Sequence, residues 1–150
     1  LRKLRETDLD GIILAAAGIK RLLEPEIITQ YFDIERMVPA VGQGALAIEA
    51  REGDRTVEAL LAPLNDSQTV AEATAERAVL ESLGGGCQIP VGAHAWHADG
   101  ELSLIAAVCH PEGIHRIVET ATGTPDAAKY LGEIVAEKLQ SSGATELLRL

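Results

Sequence analysis

Residues 91–108 read VGAHAWHADGELSLIAAV, and this stretch decides the fold class. Apolar and polar residues alternate on both sides of Asp99-Gly100, with the period of two that is typical of half-buried strands. An Asp-Gly pair between two such runs favours a type I′ turn, because both central residues of that turn have a positive φ. The stretch therefore predicts a β-hairpin whose antiparallel strands are 91–100 and 101–108.

A third strand and two helices follow the hairpin. HPEG at 110–113 predicts a turn, and IHRIVETA at 114–121 predicts another strand. TPD at 124–126 predicts the start of a helix that runs through about residue 140, with the threonine as its N-cap and the proline in its first turn. Gly143 is expected to end that helix before a last short one.

Two helices are predicted before the hairpin. RTVEALLAPL at 55–64 is typical of a short amphipathic helix. SQTVAEATAERAVLESL at 67–83 predicts a longer one, with Asp66 or Ser67 as its N-cap. Helices packed on a meander of three strands predict an α+β unit over 54–150, a three-stranded antiparallel sheet with helices on one face.

The N-terminal part of the chain has a different pattern. GIILAAAG at 11–18 is almost entirely apolar, which predicts a strand buried on both faces, as in a parallel α/β sheet. IKRLLEPEI at 19–27 predicts a short helix broken at Pro25. Because a lone strand of this kind cannot bury its own surface, its partner strands would come from another chain or from residues upstream of Leu1 that are missing, and we expect the latter.

A glycine turn lies between these two parts of the chain. VPAV at 38–41 and ALAIEA at 45–50 are predicted to be extended on either side of Gly42-Gln43-Gly44.

Composition excludes several classes of partner. The chain has 150 residues and a formal net charge of −10, which argues against nucleic acid and against an anionic membrane. Aromatic residues make up only 3%, so platforms on which bases could stack are scarce. Two cysteines in an acidic chain fit a reducing cytosol better than a disulfide scaffold.

One of the two cysteines lies in an unusually bare loop. Residues 81–95 read ESLGGGCQIPVGAHA, and three glycines before Cys87 remove every side chain that could shield it. Ile89 precedes a proline and is therefore pushed toward extended geometry, so the loop should lead directly into a strand. We expect Cys87 to be displayed and able to form a stable bond to a bulky group, whereas Cys109 should be a buried apolar residue.

Other uses of these residues stay open from the residues alone. A disulfide between the two cysteines is one, and a cysteine protease site is another, although no helix begins directly after Cys87 to lower its pKa. Zinc is a third, because soft ligands are available for a tetrahedral site. Against zinc, the sequence has no CxxC or HxxxH pair, and His94 and His97 should point to opposite faces of their strand. The candidate zinc ligands are Cys87, His94, His97, Cys109 and His110.

Three segments, in order, resemble the porphobilinogen deaminase family, also called hydroxymethylbilane synthase. GGGCQIPVGAHA (84–95) resembles the cofactor-attachment segment of that family. VPAVGQGALAIEARE (38–52) is similar to the segment that crosses back into its first domain, and DLDGIILAAAGIKRL (8–22) is similar to the last strand and helix of its second domain. The helix TAERAVLESL before the glycine loop also agrees.

The resemblance implies a domain organisation. Family members have two α/β domains that resemble periplasmic binding proteins and a third, small α+β domain. The chain would then hold the end of domain two (1–37), a segment returning to domain one (38–53) and all of domain three (54–150). It would be the C-terminal portion of a longer enzyme.

The resemblance also implies an activity. Similar proteins are transferases of haem and tetrapyrrole biosynthesis, which join four porphobilinogen units into hydroxymethylbilane and release ammonia at each step. A dipyrromethane cofactor, attached by a thioether at the position of Cys87, primes the chain. The resemblance also implies which residues bind the cofactor: Cys87 and its neighbour Gly86, Arg21, and the cleft-facing turn Gly42, Gln43 and Gly44. Arg21 matches an arginine of the family that binds carboxylates. No metal is implied.

The chain departs from the family in one respect. The catalytic acid/base aspartate of the family lies upstream, and none of Asp8, Asp10 and Glu49 matches it. We therefore expect the isolated chain neither to polymerise porphobilinogen nor to assemble its own cofactor efficiently. The rival hypothesis is a non-catalytic ligand-binding or interaction module in which Cys87 is unused. We also expect a monomeric parent in the cytoplasm, or in the plastid if it comes from a plant, and a fragment able to self-associate through an exposed strand.

Overall fold

The computed structural model of the chain describes residues 2–22, 25–85 and 89–148. The chain divides into two units, Leu1–Asp33 and Ile34–Leu150. In the part of the chain that the structure describes, no helix is both long enough and apolar enough to cross a membrane.

The first unit is helical where it has regular structure. Its elements are helix α1 (Arg2–Glu6), helix α2 (Ala16–Leu22) and a 3₁₀ turn (Pro25–Ile27). The strand predicted over 11–18 is wrong, because residues 11–15 have no strand structure and α2 begins at Ala16. A strand exists only through hydrogen bonds to a neighbouring strand, and the described residues of this unit contain no strand with which residues 11–18 could pair.

The second unit contains the predicted meander. Its strands are β1 (Val91–Ala98), β2 (Glu101–Cys109) and β3 (Arg116–Gly123), antiparallel and in the order β1-β2-β3. At the hairpin, Asp99 and Gly100 have φ values of 53° and 84°, as a type I′ turn requires. The hairpin predicted from the Asp-Gly pair is confirmed.

The described residues of the second unit form four α-helices. They are α3 (Arg55–Leu61), continued by a 3₁₀ turn (Ala62–Leu64), α4 (Ser67–Ser82), α5 (Ala128–Ser141) and α6 (Ala144–Leu147). Asp66 is the N-cap of α4, where its Oδ1 accepts a hydrogen bond from the Thr69 N–H at 2.8 Å. This hydrogen bond holds the pKa of the Asp66 carboxyl below its usual value. Gly143, with φ of 98°, separates the last two helices as predicted.

The predicted cap at Thr124 differs from the observed one. Thr124 precedes a 3₁₀ turn (Pro125–Ala127), and its side chain makes no capping hydrogen bond. Helix α5 begins only after that turn, with Ala127 in the N-cap position. The proline therefore starts a tight turn rather than the α-helix itself.

The core lies between one face of the sheet and helices α4 and α5. Alternate residues of β1 and β2 point to that face, and this confirms the predicted α+β unit with helices on one side. Helices α4 and α5 pack so closely that a Cβ on Gly132 would lie 2.6 Å from the Ala78 Cβ and closer still to the Ala75 carbonyl oxygen. The core includes Val79, Ala93, Ala95, Leu102, Leu104, Ala106, Val108, Leu131, Val135 and Leu139.

Candidate functional site

The glycine loop follows α4 directly. Gly86 and Cys87 lie outside the described residues, but the chain that leads to them is described. Gly84 and Gly85 have φ values of 104° and 53°, and a Cβ on either would meet no atom within 4 Å. The Gly85 N–H donates to the Leu80 carbonyl at 2.9 Å, which closes the end of the helix. The chain thus leaves α4 in a conformation suited to glycine, with open space beside it.

The other end of the loop is held against the sheet. The Val91 N–H donates to the Ile89 carbonyl at 2.8 Å, and the Cys109 N–H donates to the Pro90 carbonyl at 3.0 Å. The chain therefore passes from the loop into β1 next to the last residue of β2. Both ends of the loop, one in a helix and one in a sheet, are fixed in the same unit.

Residues 38–40 lie along the free edge of β1. Ala40 forms a bridge with Gly92, and the Ala93 N–H donates to the Pro39 carbonyl at 3.0 Å. A Cβ on Gly92 would lie 2.6 Å from the Val38 carbonyl oxygen. Because only glycine permits this approach, Gly92 brings this segment against the strand that leaves the loop.

The predicted glycine turn comes next. The Gln43 N–H donates to the Ala40 carbonyl at 3.1 Å, and Gly42, the third residue of the turn, has φ of +72°. A positive φ at that position is typical of a type II turn. Gln43 and Gly44 are exposed, and neither the Gln43 side chain nor the Gly44 N–H makes a hydrogen bond to the described residues.

A buried carboxylate, which sequence reasoning missed, holds this turn in place. Glu76 of α4 is 6% exposed. Its Oε2 accepts from the Gly42 N–H at 2.6 Å, and its Oε1 accepts from the Ala95 N–H at 2.9 Å and lies 3.6 Å from the His94 Nδ1. A signal was present, because Glu76 falls between the buried residues Ala75 and Val79 in the helix pattern, where a solvated charge is not expected.

The histidines of β1 point to opposite faces, as predicted. The His94 ring stacks on Trp96, with 5.8 Å between ring centroids and an interplanar angle of 16°. His97 Nε2 instead lies 3.4 Å from the Gln68 carbonyl oxygen of α4. Among the described residues, no three His, Cys, Asp or Glu side chains are grouped to hold a metal ion.

Cys109 differs from its prediction. It is a free cysteine and only half-buried, not a fully buried apolar residue. The reason is its place as the last residue of β2 and not the sheet face, because Ile105 and Ala107, which lie on the same face as Cys109, are buried.

Arg21 belongs to the unit Leu1–Asp33, where it lies on α2. It is exposed and makes no hydrogen bond or ion pair with the described residues. The neighbouring Lys20 is engaged differently, since its Nζ lies 5.1 Å from the centroid of the Tyr31 ring.

An open groove of about 600 Å³ is also present in the second unit, at the N-terminal ends of α4 and α5. Of the residues predicted to bind the cofactor, none that the structure describes lines it, although the candidate zinc ligand His97 does. Its lining includes Ser67, Gln68, Thr74, His97, Asp126 and Lys129.

Comparison with known proteins assigns both parts of the chain to one family. A family model described as "Porphobilinogen deaminase, dipyromethane cofactor binding domain" matches residues 1–59. A second, described as "Porphobilinogen deaminase, C-terminal domain", matches residues 70–141. The two matches follow each other along the chain in the order that the sequence motifs predict.

Curated relatives agree with the family models. The chain is 46% identical to a porphobilinogen deaminase of Syntrophotalea carbinolica over 99% of this chain and 47% of the relative. It is 46% identical to that of Thiobacillus denitrificans and 47% identical to that of Chromobacterium violaceum, each over 99% of this chain and 48% of the relative. The chain spans about half the length of the curated relatives it matches.

Proposed function

The chain belongs to the porphobilinogen deaminase family, and we propose that it is the C-terminal part of an enzyme that condenses four porphobilinogen molecules into hydroxymethylbilane with release of ammonia. The observation that carries the proposal is the ordered match of two models of this family, over 1–59 and 70–141. The enzyme would act in the cytoplasm, in tetrapyrrole biosynthesis.

The cofactor of this enzyme would be a dipyrromethane attached through a thioether to Cys87, with Gly86 beside it. The described flank of the loop supports this, because Gly84 and Gly85 border open space in which a bulky group could lie. A cysteine thiolate is also a strong, soft nucleophile suited to a lasting bond with carbon. When bound, the cofactor supplies the primer to which porphobilinogen units are added.

Three described residues suit the carboxylates of the substrate. Each porphobilinogen carries an acetate and a propionate group, and an exposed guanidinium such as that of Arg21 can hold a carboxylate through two hydrogen bonds. The Gln43 side-chain amide and the Gly44 N–H, which make no hydrogen bond to the described residues, can donate further hydrogen bonds. Gly42 contributes by its left-handed conformation, which shapes the turn.

The proposed domain boundaries are 1–37, 38–53 and 54–150. Helices α4, α5 and α6 share one core with the meander, which supports a single third domain from α4 onward, whereas α3 buries no residue in that core. Residues 38–44 contact that domain through the edge of β1 and through Glu76. None of the residues given a role here is an acid/base aspartate, so we expect the 150-residue chain alone not to release hydroxymethylbilane.

The deciding experiment is the intact mass and peptide map of a full-length protein that carries this chain, as wild type, Cys87→Ser and Cys109→Ser. We expect the added mass of two linked pyrroles on the Cys87 peptide in wild type and in Cys109→Ser. Cys87→Ser should lack the added mass and lose turnover of porphobilinogen. The matched cysteine Cys109 controls for the general effect of removing a thiol.

Two outcomes would refute the proposal. One is an active wild-type enzyme with an unmodified Cys87, and the other is a Cys87→Ser protein that keeps both the adduct and turnover. A wild type with neither adduct nor activity would favour the binding-module hypothesis.

A further inference from the structure

We propose that Glu76 is a positioning residue, whose buried carboxylate fixes the Gly42 turn to both supports of the Cys87 loop. This inference rests on the proposed function, because it assumes that the turn and the loop serve one site. Glu76 belongs to α4, the helix that leads into the loop, and its partner Ala95 belongs to β1, the strand that leads out. Through Gly42, the same carboxylate reaches the turn.

The geometry matches a carboxylate and not an amide. The two oxygens of Glu76 each accept one backbone N–H, from Gly42 at 2.6 Å and from Ala95 at 2.9 Å. Both partners are obligate donors, and neither N–H has another acceptor among the described residues. A glutamine would place an NH₂ group against one of these N–H groups, which leaves a buried donor unsatisfied.

The position of Ala95 makes the contact specific to this edge. Because β1 is an edge strand, alternate N–H groups point away from β2. One of them, Ala93, is paired with the Pro39 carbonyl, and the next, Ala95, is paired with Glu76. Residues 38–42 and the Glu76 carboxylate together cover this part of the edge, so the turn has a defined place relative to the strand.

His94 adds a third contact to the same carboxylate. Its Nδ1 lies 3.6 Å from Oε1, and its ring is held by stacking on Trp96. At 6% exposure, Glu76 is nearly removed from water, where its interactions with donors are stronger than at the surface. The carboxylate thus joins a helix, a strand and the turn whose Gln43 and Gly44 are proposed to face the substrate.

The test is amide hydrogen exchange, measured together with steady-state kinetics, in the full-length protein. In Glu76→Gln, we expect exchange at Gly42 and Ala95 to accelerate by roughly tenfold or more, from the loss of one charge-assisted hydrogen bond. The core amide of Leu104 should accelerate less. KM for porphobilinogen should rise more than kcat falls, and the adduct on Cys87 should remain.

Two variants complete the experiment. Glu72→Gln removes a charge one turn earlier in α4, from a side chain that makes no hydrogen bond to the described residues, and should change neither exchange nor kinetics. Glu76→Asp keeps both oxygens but shortens the side chain, so it should give an intermediate result. It also keeps the test decisive if Glu76→Gln folds poorly.

The possible failures are distinguishable. Unchanged exchange at both Gly42 and Ala95 in Glu76→Gln would refute the contact, and accelerated exchange with wild-type kinetics would refute its role in the enzyme. A wild type that fails to turn over porphobilinogen would instead refute the proposed function.

Discussion

At the scale of single residues, the Gly42 backbone illustrates how local geometry creates the site. Its φ of +72° is costly for any residue with a Cβ, although a Cβ there would meet no atom within 4 Å. We predict that Gly42→Ala lowers the free energy of unfolding by about 1–2 kcal/mol, from backbone strain alone. Urea denaturation of the two variants Gly42→Ala and Gly44→Ala would measure this.

Gly44→Ala is the matched control for that prediction. Gly44 lies in the same turn with equally open space, but its φ is not in the left-handed region. It should therefore change stability by little. Equal losses in the two variants would show that the turn conformation is not the cause.

Glu76 shows why part of the site could not be predicted from the sequence. Motifs predicted the glycine turn, since small residues identify turns locally. The bond from Gly42 to Glu76 joins residues 34 positions apart, and no local pattern encodes which distant N–H a buried carboxylate will accept. The sequence does show that a glutamate lies on the apolar face of a helix, but not which groups it contacts.

At the scale of elements, the packing of α4 on α5 depends on one missing side chain. In the interior of a helix, Gly→Ala normally stabilises by about 1 kcal/mol. At Gly132 the added Cβ would overlap the Ala75 carbonyl oxygen and lie 2.6 Å from the Ala78 Cβ. We predict that Gly132→Ala destabilises the protein by about 1–3 kcal/mol because the two helices must move apart.

Thermal and urea unfolding would measure the effect, with Gly123→Ala as control. Gly123 also faces α5, but a Cβ there would meet only the Leu131 Cδ1, at 3.5 Å, which is ordinary contact. A stabilised Gly132→Ala protein would mean that the helices are less closely packed than described.

The elements that were predicted correctly are those specified by short-range interactions. Asp66 caps α4 through a residue three positions away, and Asp99-Gly100 makes its turn by its own backbone preference. The strand predicted over 11–18 depends on partners at long range, and in their absence Ala16 and its neighbours form a helix, for which alanine has the highest propensity. Periodicity therefore predicted the meander correctly, and it predicted the wrong structure for the isolated apolar run at 11–18.

At the scale of the whole molecule, the chain exposes apolar side chains that a complete protein would be expected to cover. Leu46 and Ile48 are 83% and 60% exposed, and they are spaced to share one face if 45–50 is extended. The chain spans about half the length of its curated relatives, so we expect these side chains to pack against the remainder of the protein.

This expectation makes a paired prediction for the double variant Leu46→Gln/Ile48→Gln. In the 150-residue chain, wild type should self-associate through exposed apolar surface, and the variant should do so less, as sedimentation velocity would show. In a full-length protein the same variant should lower the free energy of unfolding by about 2–5 kcal/mol, since two buried apolar side chains are lost.

Ile114→Gln, which alters a residue 72% exposed between β2 and β3, should have neither effect. The double variant should thus improve the behaviour of the 150-residue chain, by reducing self-association, but destabilise the full-length protein. A full-length protein whose free energy of unfolding is unchanged by the double variant would show that 45–50 remains at the surface, whatever the isolated chain does.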